Sequence, residues 1–278
     1  MKRFAPLIAI AFVSLIAPAF GEMNIDVVVD GLNNPWEMVF APNGDIYFSE
    51  RDGRVWKIEN FGEAKVIQTF PKSGSYEGGT LGLALHPNFE ENKKIYIYQT
   101  NLELEFFQNK VFSFTVDGDE LIDVQTVIDD IPGAPWHDGG RIAFGPDDKL
   151  YITTGDAVNP GWSQDLSSLA GKILRINSDG SIPDDNPFDS SAIFSYGHRN
   201  PQGIAWNEDG ILVSSEHGPS GEMGYGHDEI NVIGKGKNYG WPKVVGDSSD
   251  DSYVNPIIHS GEQTWAPSGM VFYNSDKI

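Results

Sequence analysis

The sequence predicts an all-β fold, a β-propeller, from three observations. A strand-turn-strand unit recurs along the chain with turn residues at matching places in each copy. Aromatic and β-branched residues are interspersed with 31 glycines and 17 prolines, the composition of many short strands joined by tight turns. The copies are also spaced widely enough for each to hold a four-stranded sheet, which is the size of a propeller blade.

Residues 1–21 read as a secretory signal cleaved near Gly21. Lys2 and Arg3 precede an apolar run from Phe4 to Phe20, and Ala19-Phe20-Gly21 puts small residues where a signal peptidase reads them. The run is short for a bilayer span and is interrupted by Pro6 and Pro18, so no membrane insertion of the mature chain is expected. Residues 22–278 then form a single propeller domain, periplasmic or secreted. With no cysteine, that domain must be stabilised by its core, and thiol nucleophiles and thiolate metal sites are excluded. A formal charge of −21 repels nucleic acid and anionic membranes; it suits a highly soluble protein or one that holds a divalent cation.

Past the signal the repeat is explicit. It reads WEMVFAPNGDIYFSE from Trp36, LGLALHPNFEENKKIYIYQ from Leu81, GRIAFGPDDKLYITTG from Gly140 and QGIAWNEDGILVSSE from Gln202. A fifth copy, SGMVFYNS, starts at Ser268. Val39, Ala84, Ala143, Ala205 and Val271 are equivalent positions. Asn43-Gly44 and Asp209-Gly210 supply hairpin turns, and IYFSE and ILVSS alternate as half-buried strands do. Further strands, the outer ones of each blade, are expected at 53–58, 111–116, 172–177 and 229–233. The expectation is a propeller of six-bladed type with about four complete blades in this chain. A fifth blade stopping at Ile278 would leave an open sheet edge, the mark of a sequence that lacks its last blades.

Loops between blades collect at the ring's mouth, so four segments are candidates for one site: 76–79, 136–141, 197–202 and 216–219. They hold His137, His198 and His217, together with Glu77, Arg199 and Asn200. His137 can take a proton near neutral pH, and Gly139-Gly140 let its backbone approach a ligand; it can equally be a structural histidine. Arg199 beside Asn200 gives a planar fork and an amide suited to an oxygen that gains charge, though Arg199 could simply pair with one of 40 acidic residues. Glu77 is either solvated or an acceptor for ligand hydroxyls. The carbonyls of Gly218 and Pro219 could bind a hard cation.

From Asn34 onward the chain resembles the glucose/sorbosone dehydrogenase family of six-bladed propellers, which includes soluble pyrroloquinoline quinone (PQQ)-dependent sugar dehydrogenases. The strings GGTLGLALHPNF, GGRIAFGPDDKLYITTGD, GKILRINSDGSIPDDNPF, YGHRNPQGIAW, SSEHGP, DEINVI with KNYGWP, and WAPSG carry the resemblance by their shared order and spacing. It implies a catalytic base at His137, cofactor contacts at Arg199 and Asn200, and carbonyl ligands of a cofactor-bound Ca²⁺ at Gly218 and Pro219. It further implies that an aldose is oxidised to its aldonolactone, that its hydride passes to PQQ, and that an external electron acceptor completes the cycle. Two substrate-contact positions depart from the glucose enzyme: Glu77 stands where a glutamine is found, and Trp136 where an aspartate is found. Lysine and arginine positions of the family's last blades lie beyond Ile278. Two other functions fit the same architecture, a Ca²⁺-dependent lactonase and a non-catalytic sugar- or protein-binding propeller.

Overall fold

The computed structural model describes residues 26–72, 76–103, 106–220 and 225–273. The secretory signal read at 1–21 lies outside them. Sixteen strands form four antiparallel sheets, each a meander of four strands in chain order. The first blade is β1 (Pro35–Phe40), β2 (Ile46–Glu50), β3 (Arg54–Ile58) and β4 (Ala64–Thr69). The second is β5 (Thr80–Leu85), β6 (Lys94–Glu103), β7 (Phe106–Asp117) and β8 (Glu120–Pro132). The third is β9 (Ile142–Phe144), β10 (Leu150–Thr154), β11 (Lys172–Ile176) and β12 (Ile193–Tyr196). The fourth is β13 (Pro201–Trp206), β14 (Leu212–Glu216), β15 (Glu229–Val232) and β16 (Ile258–His259). No helix among the described residues is long and apolar enough to cross a membrane.

The register confirms the repeat. Val39 faces Tyr47, Ala84 faces Tyr96, Ala143 faces Tyr151 and Ala205 faces Val213, each across the first hairpin of its blade. Gly44 and Gly210 close two of these hairpins at φ 90° and 76°, which a side chain would resist. The strands expected at 53–58, 111–116, 172–177 and 229–233 are the third of each blade.

One expectation is corrected. IYFSE is buried at every position and ILVSS at every position after the exposed Ile211, rather than on alternate faces. The reason is the layering: Tyr47 packs with Leu83, Ile95 and Ile97 of the second blade, while Ile46 and Phe48 are covered on the other face by Val29 and Leu32. The core therefore lies between blades. Tyr96 and Tyr98 meet Ile142 and Ile152, and Tyr151 and Ile173 meet Ile204 and Leu212. A strand packed on both sides has no solvent face to alternate with.

The fifth copy forms no strand over 268–273, but it is seated as one. Ser49 on β2 donates its hydroxyl to the Leu81 carbonyl of the next blade at 2.6 Å. The equivalent Ser215 on β14 donates to Ser268, the equivalent of Leu81, at 2.6 Å. At the ring's centre Arg141 ties three first strands together. Its guanidinium lies 4.0 Å from the Trp36 ring, pairs with Glu37, and donates through Nε to the Gln202 carbonyl at 3.0 Å.

Candidate active site

Glu77, Trp136, His137, Asp156, Val158, Pro160, Arg199, Ser220 and Trp241 surround a cavity of about 370 Å³. Blade-to-blade loops supply Glu77, Trp136, His137 and Arg199, whereas Asp156, Val158 and Pro160 come from the loop between the second and third strands of the third blade, and Ser220 and Trp241 from loops within the fourth. Segment 216–219, expected between blades, therefore joins two strands of one blade. Glu77 and the His137 loop are joined reciprocally. Glu77 N–H donates to the Pro135 carbonyl at 3.0 Å, and the Glu77 carboxylate accepts His137 N–H at 2.8 Å.

The backbone of His137 sits at φ 64°, an uncommon conformation for a side-chain-bearing residue. Local packing holds it there. Its carbonyl accepts Ala157 N–H at 3.2 Å and rests on Gly155, where a Cβ would overlap it. The neighbouring Asp138 is buried and accepts from Asn109 Nδ2 and Ala134 N.

The His137 ring lies between two charged groups. Nδ1 is 2.8 Å from Asp156 Oδ1, and Nε2 is 2.9 Å from Arg199 Nη2. A guanidinium only donates, so Nε2 carries the lone pair and the Nδ1 proton goes to Asp156. Asp156 is itself fully engaged, since Oδ2 accepts from Trp241 Nε1 at 2.8 Å and Oδ1 also accepts Val158 N–H at 2.9 Å. Arg199 donates further to the His217 carbonyl at 3.3 Å and the Ser220 hydroxyl at 3.2 Å. Burial draws its guanidinium below the ordinary range, against the opposing pull of Asp156, Glu216, Glu77 and Asp228.

Of the remaining sequence candidates, Gly218 and Pro219 line an adjoining chamber of about 20 Å³, which shares Arg199 and Trp241 with the main cavity. Gly218 N–H donates to Asp228 Oδ1 at 2.8 Å. Burial opposes ionisation of Asp228, yet the N–H groups of Ala266, Gly218 and Trp265 hold its carboxyl below the usual range. The loop bearing the two carbonyls is thus fixed by a carboxylate. Neither carbonyl accepts a hydrogen bond from the described residues. Asn200 lines neither space: it is 1% exposed, and its Oδ1 accepts from Gly139 N and Gln202 Nε2.

The other two loop histidines take different positions. His198 is fully buried between Glu216, at 2.8 Å from Nδ1, and Ser195, at 2.8 Å from Nε2. His217 borders the small chamber, and burial lowers its tendency to protonate. Its Nε2 is buried with no partner. Sequence reasoning missed Asp156 and Trp241 as site residues, although both lie in strings it singled out, GGRIAFGPDDKLYITTGD and KNYGWP.

The comparisons with known proteins bear on this arrangement. The profile of the Glucose / Sorbosone dehydrogenase family matches residues 32–278. The chain belongs to the glucose/sorbosone dehydrogenase family. Among family relatives, aldose sugar dehydrogenase YliI of Escherichia coli is 34% identical over 98% of this chain and 79% of its own length. Quinoprotein glucose dehydrogenase B of Acinetobacter calcoaceticus is 34% identical over 82% of this chain and 54% of its own length, so this chain spans about half of that relative. The PQQ-bound aldose sugar dehydrogenase of Streptomyces coelicolor superposes with a TM-score of 0.82 at 37% identity, over 89% of this chain and 74% of the other. The four blades seen here share the fold of that dehydrogenase propeller.

Proposed function

We propose that this chain is an exported, PQQ- and calcium-dependent aldose dehydrogenase that oxidises the anomeric carbon of a sugar to give an aldonolactone. The observation that carries the reading is the His137 ring on the cavity wall, whose unprotonated Nε2 is held by Arg199 while Asp156 holds Nδ1, so that its tautomer is fixed.

The residues present fit the two groups this function requires. Two adjacent carbonyls that accept no hydrogen bond from the described residues, on a loop braced by Asp228, are hard oxygen ligands of the type Ca²⁺ takes. Arg199 offers a fork to an anionic, planar cofactor, and the unpartnered His217 Nε2 marks a polar contact that the protein alone leaves unmade. Asn200 supports the same wall from behind through Gly139. PQQ, when bound, supplies the two-electron acceptor for the substrate's hydride.

The protein's own part follows from its geometry. His137 Nε2 takes the proton of the anomeric hydroxyl, and the resulting imidazolium is stabilised through Nδ1 by Asp156. Asp156 keeps its orientation through Trp241 and Val158. To accept that proton, Nε2 must first be released by Arg199, whose Nη2 is then free to stabilise an oxygen that gains charge. Glu77 and Trp136 contact the sugar from the side of the cavity next to the base.

Reconstituting the full chain with PQQ and Ca²⁺ and adding aldoses and an artificial electron acceptor tests the reading. Sugar-dependent acceptor reduction is expected, and it should fall by about 10²–10⁴-fold in His137→Ala. Wild-type rates in that variant would remove His137 as the base. Lactone hydrolysis without any quinone would replace the dehydrogenase reading with that of a lactonase.

A further inference from the structure

Glu77 is a carboxylate on the wall of the substrate cavity, attracted by Arg199 across it but in no direct ion pair with a described residue. Among the described residues, the one hydrogen bond it accepts comes from the backbone N–H of His137, and no lysine or arginine forms an ion pair with it. Arg199, the cation of the cavity, directs its donors to His137, His217 and Ser220. Beside Glu77 stands Trp136, whose ring is stacked on Tyr76 at 5.0 Å and 4°. Trp136 lines the cavity and Tyr76 does not, so Tyr76 backs the indole from outside. Both rings remain exposed, at 45% for Trp136 and 68% for Tyr76. A carboxylate next to an electron-rich aromatic surface is the chemistry that recognises an ammonium group.

Resting on the aldose dehydrogenase reading, we propose that the preferred substrates are aldoses carrying a protonated amine next to the anomeric carbon, 2-amino-2-deoxyhexoses. The ammonium lies against Glu77 and Trp136 while the anomeric hydroxyl lies at His137. Glu77 bonds the backbone of His137 directly, so their side chains leave adjoining points of the wall and suit substituents on adjacent carbons. A cationic substrate also offsets the repulsion between Glu77 and an anionic cofactor, and the −21 formal charge of the chain draws cations toward it.

The test compares dissociation constants of D-glucosamine, N-acetyl-D-glucosamine and D-glucose by NMR titration of the full chain, with and without PQQ and Ca²⁺. Glucosamine is expected to bind at least about tenfold more tightly than glucose near neutral pH, with the ratio shrinking as salt is added. N-acetylglucosamine, which has no charge, should bind no better than glucose. Glu77→Gln keeps an acceptor for His137 N–H and should bring the glucosamine-to-glucose ratio close to one. A ratio near one in the wild type, a ratio that survives Glu77→Gln, or no sugar binding in either form overturns the proposal. A preserved preference for glucosamine with no aldose oxidised would instead remove the dehydrogenase reading and leave the amine site standing.

Discussion

Arg199 Nη2 donates to His137 Nε2 at 2.9 Å, so the proposed base and the cation beside it hold each other when no substrate is between them. The consequence is a histidine with one tautomer already selected, its Nδ1 proton on Asp156. That selection can be undone chemically. Asp156 accepts three hydrogen bonds, from His137, Val158 and Trp241, and an asparagine has only one oxygen with which to accept them. Asp156→Asn must either oppose an N–H with its amide nitrogen or turn the histidine to the wrong tautomer. Turnover by the reconstituted protein is expected to fall about 10²–10⁴-fold, the range of a lost general base, with the fold retained. Circular dichroism alongside steady-state rates checks both halves.

Gly155 tests whether the unusual backbone of His137 is needed. A Cβ at 155 would overlap the carbonyl of the cavity-lining His137 and approach Oδ1 of Asn200 buried behind it. Gly155→Ala should cost about 1–3 kcal/mol in denaturant melts, as overpacking does, and should lower the rate more than a loss of stability explains. A variant of unchanged rate would show that the His137 loop tolerates displacement.

Much of this was legible in the sequence, for identifiable reasons. First and second strands carry the repeated turn and the inter-blade core, so their pattern survives from blade to blade. Fourth strands carry neither: β16 is two residues long, and β8 is mostly exposed. His137 and Arg199 stand out because their residue types are unusual in connecting loops. Asp156 does not, since an aspartate after a strand reads as an ordinary turn residue until the fold sets it 2.8 Å from a ring 19 positions earlier. For Glu77 the sequence leaves a solvated carboxylate and a ligand contact both open, because the backbone bond that ties it to His137 depends on a non-local approach of two loops.

At the centre of the ring, Arg141 and Glu37 form an ion pair with little exposure, under 20% for either side chain. Removing Arg141 leaves the Glu37 carboxylate largely out of water, with no ion partner among the described residues and only the Met38 N–H donating to it. Arg141→Met is therefore expected to destabilise the fold by about 3–5 kcal/mol. Adding Glu37→Gln should recover part of that loss, because the orphaned carboxylate is gone. Denaturation midpoints of the two single variants and the double variant measure the coupling; strict additivity would show that the pair contributes nothing as a pair.

Glu229 gives the fold a pH dependence that can be isolated. Burial, with Glu216 and Asp247 adding negative charge nearby, pushes its carboxyl up from 4.5 to about 8. Between those values the folded chain holds a proton that the unfolded chain has released, so this residue's contribution is fully present below about 4.5 and is lost as pH rises through about 8. One proton contributes at most about 1.4 kcal/mol per pH unit over that window. Glu229 also accepts from Gly246 N and Asn231 Nδ2, so Glu229→Gln gives up one acceptor and carries a constant cost at every pH. Its slope is what should change: stability measured from pH 5 to 8 should decline less steeply than in the wild type, and parallel curves would show that Glu229 is already ionised in the folded chain.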